Sequence, residues 1–257
     1  MITVHRLTAF LGAIAVMALM APLATADDQD TPVYELRIYT CEPGKLEPLL
    51  DRFRSHTMRI FEKHGMTNVA YWVPTDEPKK SNTLVYLLRH ASSEAAKKSW
   101  QAFREDPEWR AVAKASQEQH GKILAERPYS LYMTATDYSP TVTAPNEDAV
   151  YELRVYTAAD GKLDALHDRF RQHTDAIFKS HGMTSVGYWS PRDEEAGNVM
   201  LYVLEYPSRD AAKASWKAFF TDPEWKKVAA ETQKDGRLVT KVESTYMAPT
   251  DFSPTAK

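Results

Sequence analysis

Glu35 and Arg37 stand two residues apart and are followed by Tyr39, and the same spacing returns as Glu152, Arg154 and Tyr156. In an extended strand, alternate residues share one face, so each set presents a carboxylate, a guanidinium and a phenol together. That combination has two uses. As a site, each arginine would bind an anionic ligand inside a barrel, and each glutamate would act as a base if desolvation raised its pKa. As structure, the charges pair and offset one another's burial. Tyr86 and Tyr202, with Tyr71, Trp72, Tyr188 and Trp189, add an aromatic set. It lines a small-molecule pocket or fills a core with its hydroxyls bonded. Glu35 and Glu152 are therefore the candidate catalytic residues. Arg37, Tyr39, Tyr86, Arg154, Tyr156 and Tyr202 are the candidate ligand-binding residues.

Histidine gives less. His56 and His173 share the context Arg-Phe-Arg-x-His-Thr, while His64 and His181 fall at helix ends. Within each copy the pair is separated by more than two helical turns, ~12 Å of rise, so it cannot ligate one metal together. A lone axial haem imidazole from His56 or His173 is the functional alternative. Packing or hydrogen bonding is the structural one, and helix-end histidines complement the dipole. One cysteine, Cys41, excludes an intramolecular disulfide and CxxC chemistry. Phosphate-loop, zinc and Ca²⁺-loop motifs are missing from the sequence. No metal, and no cofactor of any kind, is expected. The net charge of −3, with acids and bases interspersed, shows no basic face for nucleic acid.

The elements that must position these residues occur twice. Residues 34–74 and 151–191 are identical at 26 of 41 positions. The match resumes at Asn82 and Asn198, passes through Asp-Pro-Glu-Trp (106–109 and 222–225), and ends at Thr-Asp-Tyr/Phe-Ser-Pro (136–140 and 250–254). A period that long marks a duplicated domain, not a solenoid. Each copy reads βαββαβ, with a further helical segment capped by Asp106 or Asp222. Tyr34, Leu36 and Ile38 alternate with Glu35, Arg37 and Tyr39. Leu46, Leu49, Leu50, Phe53, Ile60 and Phe61 form a helical stripe that Gly65 ends. The third strand is apolar on both faces: Leu84, Tyr86 and Leu88 against Val85 and Leu87. Helices cover one face and something else must cover the second; the simplest cover is the other repeat's sheet, as a sheet-on-sheet or barrel-like pair within the chain. Further self-association is left open.

The motifs Tyr-Glu-Leu-Arg-x-Tyr-Thr, Gly-Lys-Leu, Gly187-Tyr188-Trp189 (Ala70 replaces the glycine in the first copy) and Asp-Pro-Glu-Trp resemble the NIPSNAP family over nearly the whole chain. The resemblance implies an α+β fold of two tandem ferredoxin-like domains, pairing their sheets as an intramolecular dimeric α/β barrel. It implies a superfamily holding cofactor-free monooxygenases, lactone isomerases and haem enzymes, with no reaction assigned to most family members. Mitochondrial relatives are linked to vesicular and autophagy roles, which do not carry over to an exported tandem protein.

Export is expected from the first 26 residues, through Arg6, the apolar run Leu7 to Met20, Pro22 and Ala24-Thr25-Ala26. An uncleaved anchor is the rival; cleavage leaves no stable membrane insertion and a periplasmic or secreted chain. The expected plan is a signal peptide (1–26), domain 1 (27–136), a linker (137–149) and domain 2 (150–257). The function expected is binding of a small molecule or a protein. The alternative is a cofactor-free isomerase or monooxygenase acting on a small aromatic or acidic metabolite. A barrel cavity of roughly 300 Å³ or more with Arg37 or Arg154 inside it would favour the enzyme.

Overall fold

A computed structural model describes residues 31–193 and 196–255; the expected signal peptide lies outside them. In repeat 1, β1 (Val33–Thr40) leads into a bent helix, α1, made of Leu46–Arg52, a π-helical turn Phe53–Thr57, and Met58–Lys63. Then come β2 (Thr67–Pro74), β3 (Thr83–His90), α2 (Ser93–Glu105), α3 (Pro107–His120) and β4 (Tyr129–Ala135). Repeat 2 follows the same order. Its elements are β5 (Val150–Ala158), α4 (Leu163–Arg169, π turn Phe170–Thr174, Asp175–Ser180), β6 (Thr184–Pro191), β7 (Val199–Tyr206), α5 (Arg209–Thr221), α6 (Pro223–Thr232) and β8 (Val239–Pro249).

Local chemistry explains the boundaries. Ser92 and Ser208 cap α2 and α5 by accepting from Ala95 N and Ala211 N. Asp106 and Asp222 cap α3 and α6, each followed by proline at the first helical position. Their second oxygens take Nε2 of His64 and His181 at 2.6 Å. The helix-end histidines thus tie the end of α1 to the start of α3 and the end of α4 to the start of α6. In each π turn a threonine hydroxyl adds a bond to a helix carbonyl, Thr57 to Arg52 O at 3.1 Å and Thr174 to Arg169 O at 3.2 Å.

The strands close into one barrel, ordered β1-β3-β2-β8-β5-β7-β6-β4. Each repeat's last strand pairs with its own first strand and also with the other repeat. β8 joins β2 over Trp72–Pro249, Val73–Ala248 and Pro74–Met247, and β4 joins β6 over Met133–Pro191 to Ala135–Trp189. The neighbouring pairs are all antiparallel, so β1 and β5, four steps apart, run the same way. The pseudo-two-fold axis therefore follows the barrel axis, and both repeats line both mouths.

The Thr-Asp-Tyr/Phe-Ser-Pro ends complete a reciprocal clasp. Ser139 Oγ accepts from Tyr188 N at 3.0 Å, and Ser253 Oγ accepts from Tyr71 N at 2.9 Å. Arg171 grips Asp137, and Arg54 grips Asp251, each through two donors. Residues 137–140, at the start of the expected linker, are thus packed against repeat 2.

The two faces of β3 part as expected. Leu84, Tyr86 and Leu88 pack on the helices, and Val85 and Leu87 enter the barrel. Trp72, Trp189, Met133 and Met247 plug the barrel centre. A side chain at Gly187 would meet the Trp189 ring at 2.5 Å, which explains the glycine there where repeat 1 has Ala70. Cys41 is buried and free, its thiol pushed up to about 11 by burial.

Candidate functional site

The alternation of β1 and β5 sends Leu36 and Leu153 into the barrel. Glu35, Arg37 and Tyr39 therefore face the helices, as do their counterparts Glu152, Arg154 and Tyr156. The sequence leaves open which strand face lines the barrel, because both are apolar enough to be buried and alternation alone does not say which one turns inward; here the face bearing the arginines turns to the helices. In repeat 1, Glu35 Oε1 accepts from Arg37 Nη1 at 2.6 Å and Ser130 Oγ at 2.7 Å. Its Oε2 accepts from His90 Nε2 at 2.9 Å and Trp100 Nε1 at 2.7 Å. Repeat 2 repeats the pattern on Glu152 with Arg154 at 2.6 Å, Ser244 at 2.6 Å and Trp216 at 2.7 Å. There the fourth donor is the Tyr206 hydroxyl, at 2.9 Å.

Both carboxylates are fully buried. Burial alone would raise them, but the His90 hydrogen bond, the Arg37 charge and Ser130 hold Glu35 at about 2. Glu152 is lowered against the same burial penalty by Arg154, Ser244 and Trp216. A carboxylate with two donors on each oxygen and so low a pKa is a poor proton acceptor near neutrality. Each arginine is sandwiched as well: Arg37 lies 4.4 Å from the Trp100 ring centroid and Arg154 lies 4.2 Å from that of Trp216. Their Nη2 atoms donate to Tyr39 and Tyr156 hydroxyls at 3.2 Å. Tyr86 and Tyr202 lie deeper, fully buried, with hydroxyls that have no hydrogen-bond partner. Burial pushes both phenols well above 10. The six candidate ligand-binding residues are thus gathered in two groups of three, one in each helix–sheet layer.

His56 is exposed, contrary to the packed or bonded role expected of it. Among the described residues no group of three His, Cys, Asp or Glu side chains is placed to hold a metal ion.

The barrel itself opens at one mouth. A cavity of about 370 Å³ descends to Leu36, Leu153 and Leu201, above the tryptophan plug. Its wall is apolar near the floor. At the rim, repeat 1 places Tyr129 and Leu131 where repeat 2 places Glu243 and Thr245, and Lys79 Nζ donates to Thr245 Oγ1 at 3.4 Å. The chemistry of this mouth is therefore two-sided, which identical repeats would not give.

Two arginines escaped the sequence reading. Arg52 and Arg169 follow Leu49 and Leu166 by three residues, on the buried helix stripe. Arg169 is 6% exposed and lies over Trp225 at 5.2 Å, with no carboxylate partner among the described residues. Arg52 lies over Trp109 at 5.6 Å and donates to Ser116 Oγ at 3.3 Å. Burial lowers both pKa values. The signal was present in the repeated Asp-Arg-Phe-Arg, where one arginine interrupts an apolar stripe.

The profile of the NIPSNAP family matches residues 34–140 and 151–254. In fold, the chain is similar to a candidate monooxygenase from Lactobacillus acidophilus, at 12% identity and a TM-score of 0.54, covering 85% of this chain and 94% of that one. An anthrone oxidase-like protein gives 13% identity and 0.54, covering 87% and 93%. A NIPSNAP family protein of unknown function from Agrobacterium tumefaciens aligns at 20% identity over 43% of this chain and 94% of its own, with a TM-score of 0.37. No curated protein matches the chain.

Proposed function

The chain belongs to the NIPSNAP family, and from that premise we propose that it is an exported binding protein that takes a small, largely apolar molecule into the open barrel mouth. One observation carries this reading: a cavity of about 370 Å³ is walled by Leu36, Leu131, Leu153, Val155 and Leu201, while the Glu–Arg pairs lie outside it. Such a volume with a few rim polar groups suits a ligand of one or two fused rings or a short chain bearing a hydroxyl. Lys79, Thr245, Glu243 and Tyr129 would orient its polar end. Export rests on the N-terminal pattern, and mass spectrometry of the native protein should find Asp27 at the mature terminus.

The test uses 1-naphthol and 1-decanol as probes in thermal unfolding. Each should raise the melting temperature in a saturable way, and Leu36→Trp or Leu153→Trp, which fill the mouth, should abolish the rise. Shifts that persist in both variants, or no shift with either probe, would overturn the reading. A second reading, cofactor-free monooxygenation in the same mouth, is favoured by the acid–base pair Tyr129 and Glu243 on the rim and by the fold shared with the candidate monooxygenase. Dioxygen uptake on adding anthrone, lost in Glu243→Gln, would select turnover over binding.

A further inference from the structure

Arg52 ends in an imbalance that its neighbours do not correct. Its guanidinium is stacked on Trp109 and hydrogen-bonds Ser116 Oγ, its Nε has no partner, and no carboxylate pairs with it among the described residues. A desolvated cation without a counter-charge is costly. Arg52 also borders a groove of about 410 Å³ between α1 and α3. Donors ring this groove: His56 from α1, and Ser116, Gln119 and His120 from α3. Ala111, Val112 and Ala115 give it an apolar wall. Its one acid, Asp51, is already engaged by Arg54.

Repeat 2 serves as an internal control. Arg169 occupies the place of Arg52, but Lys227 and Glu231 replace Ala111 and Ala115, and Asp235 precedes Gly236 where His120 precedes Gly121. The serine equivalent, Thr232, turns its hydroxyl to Val228 O at 2.7 Å. Arg169 shares the missing counter-charge and the unpartnered Nε but is buried, whereas Arg52 is half-buried beside a lined groove.

We propose that the repeat 1 groove binds a small organic carboxylate, with its carboxyl on Arg52 and Ser116 and its apolar body along Ala111, Val112 and Ala115. One unbalanced positive charge matches a monoanion, and the planar guanidinium fork fits a carboxylate. A phosphate dianion would carry its second charge beside Asp51. The site is separate from the barrel mouth and does not depend on what binds there.

The mature chain is titrated with sodium benzoate while the Arg52 Nε–H resonance is followed by NMR, with benzamide and phenyl phosphate as controls. Benzoate should move that resonance to saturation, benzamide should leave it in place, and phenyl phosphate should bind more weakly. Arg52→Met should abolish benzoate binding measured by calorimetry, and Arg169→Met should not. Should Arg52→Met fail to fold, the pair Ala115→Glu and His120→Asp, which installs repeat 2's residues at an exposed and a half-buried position, should weaken benzoate about tenfold. Leu153→Trp, which fills the barrel mouth, should leave the Arg52 response intact, so either proposal can fail alone. Equal binding of benzamide, tighter binding of phenyl phosphate, no movement at Arg52, or full benzoate affinity in the grafted pair would each overturn the inference.

Discussion

Two copies of one cluster differ at a single donor. Glu35 and Glu152 share an arginine, a tryptophan and a serine, whereas the fourth partner is His90 in repeat 1 and Tyr206 in repeat 2. Tyr206 can only donate there, since burial and the Glu152 charge push its phenol far above 10. A task common to both repeats therefore cannot need a proton carrier at that position. What the position requires is a donor that reaches Oε2. The mouth and the α1–α3 groove show the opposite pattern, with Tyr129, Leu131, Ala111 and Ala115 replaced in repeat 2 by Glu243, Thr245, Lys227 and Glu231. The shared clusters hold the repeats in shape, and the divergent surfaces are where a single molecule would be distinguished.

The comparison breaks most readily at the carboxylates. Glu35→Gln and Glu152→Gln each leave a buried guanidinium without its counter-charge, and each should cost about 3–5 kcal/mol in denaturant unfolding. A loss under about 1 kcal/mol in either repeat would mean that its cluster is not structural. The pH dependence follows from the same pair. Glu35 sits at about 2 when folded against an ordinary 4.5, so its contribution is complete above 4.5 and is lost as the pH falls towards 2. Glu35→Gln should flatten the acid limb of the stability–pH curve.

The fourth donor gives a smaller effect. His90→Phe and Tyr206→Phe each remove one hydrogen bond to a charged group, worth about 1.5–3 kcal/mol, and the two losses should be similar. A loss confined to His90→Phe would assign the imidazole a role beyond donation. The smallest change belongs to the clasps. Asp251→Ala and Asp137→Ala break equivalent exposed pairs with Arg54 and Arg171, so their effects on melting temperature should match and fade in high salt.

Much of this architecture is legible in the residues. The offset between Tyr34 and Tyr151 gives the duplication, and the two apolar faces of β3 require a second sheet. The direction of burial is not legible, because Leu36 and Tyr39 both lie in apolar surroundings and a period of two has no sign. Nor does any local pattern tell that β8 crosses to β2, since Trp72 and Pro249 are brought together only by closure. Arg52 is hidden for a different reason: an arginine next to Phe53 reads as helix surface until the stripe through Leu49 is followed turn by turn.

The β2–β8 seam also sets the order in which the molecule can form. Trp72 meets Pro249, 177 residues away in the chain, and contacts of such high sequence separation form late and slowly. While the chain is being made, repeat 1 can complete its helices and β1–β3 pairing, but its β2 edge stays open until the last strand emerges. An open edge is a template for another chain. Barrel closure is therefore a race between the chain's own final strand and a neighbour's, and crowding nascent chains together should favour dimers that have exchanged β8.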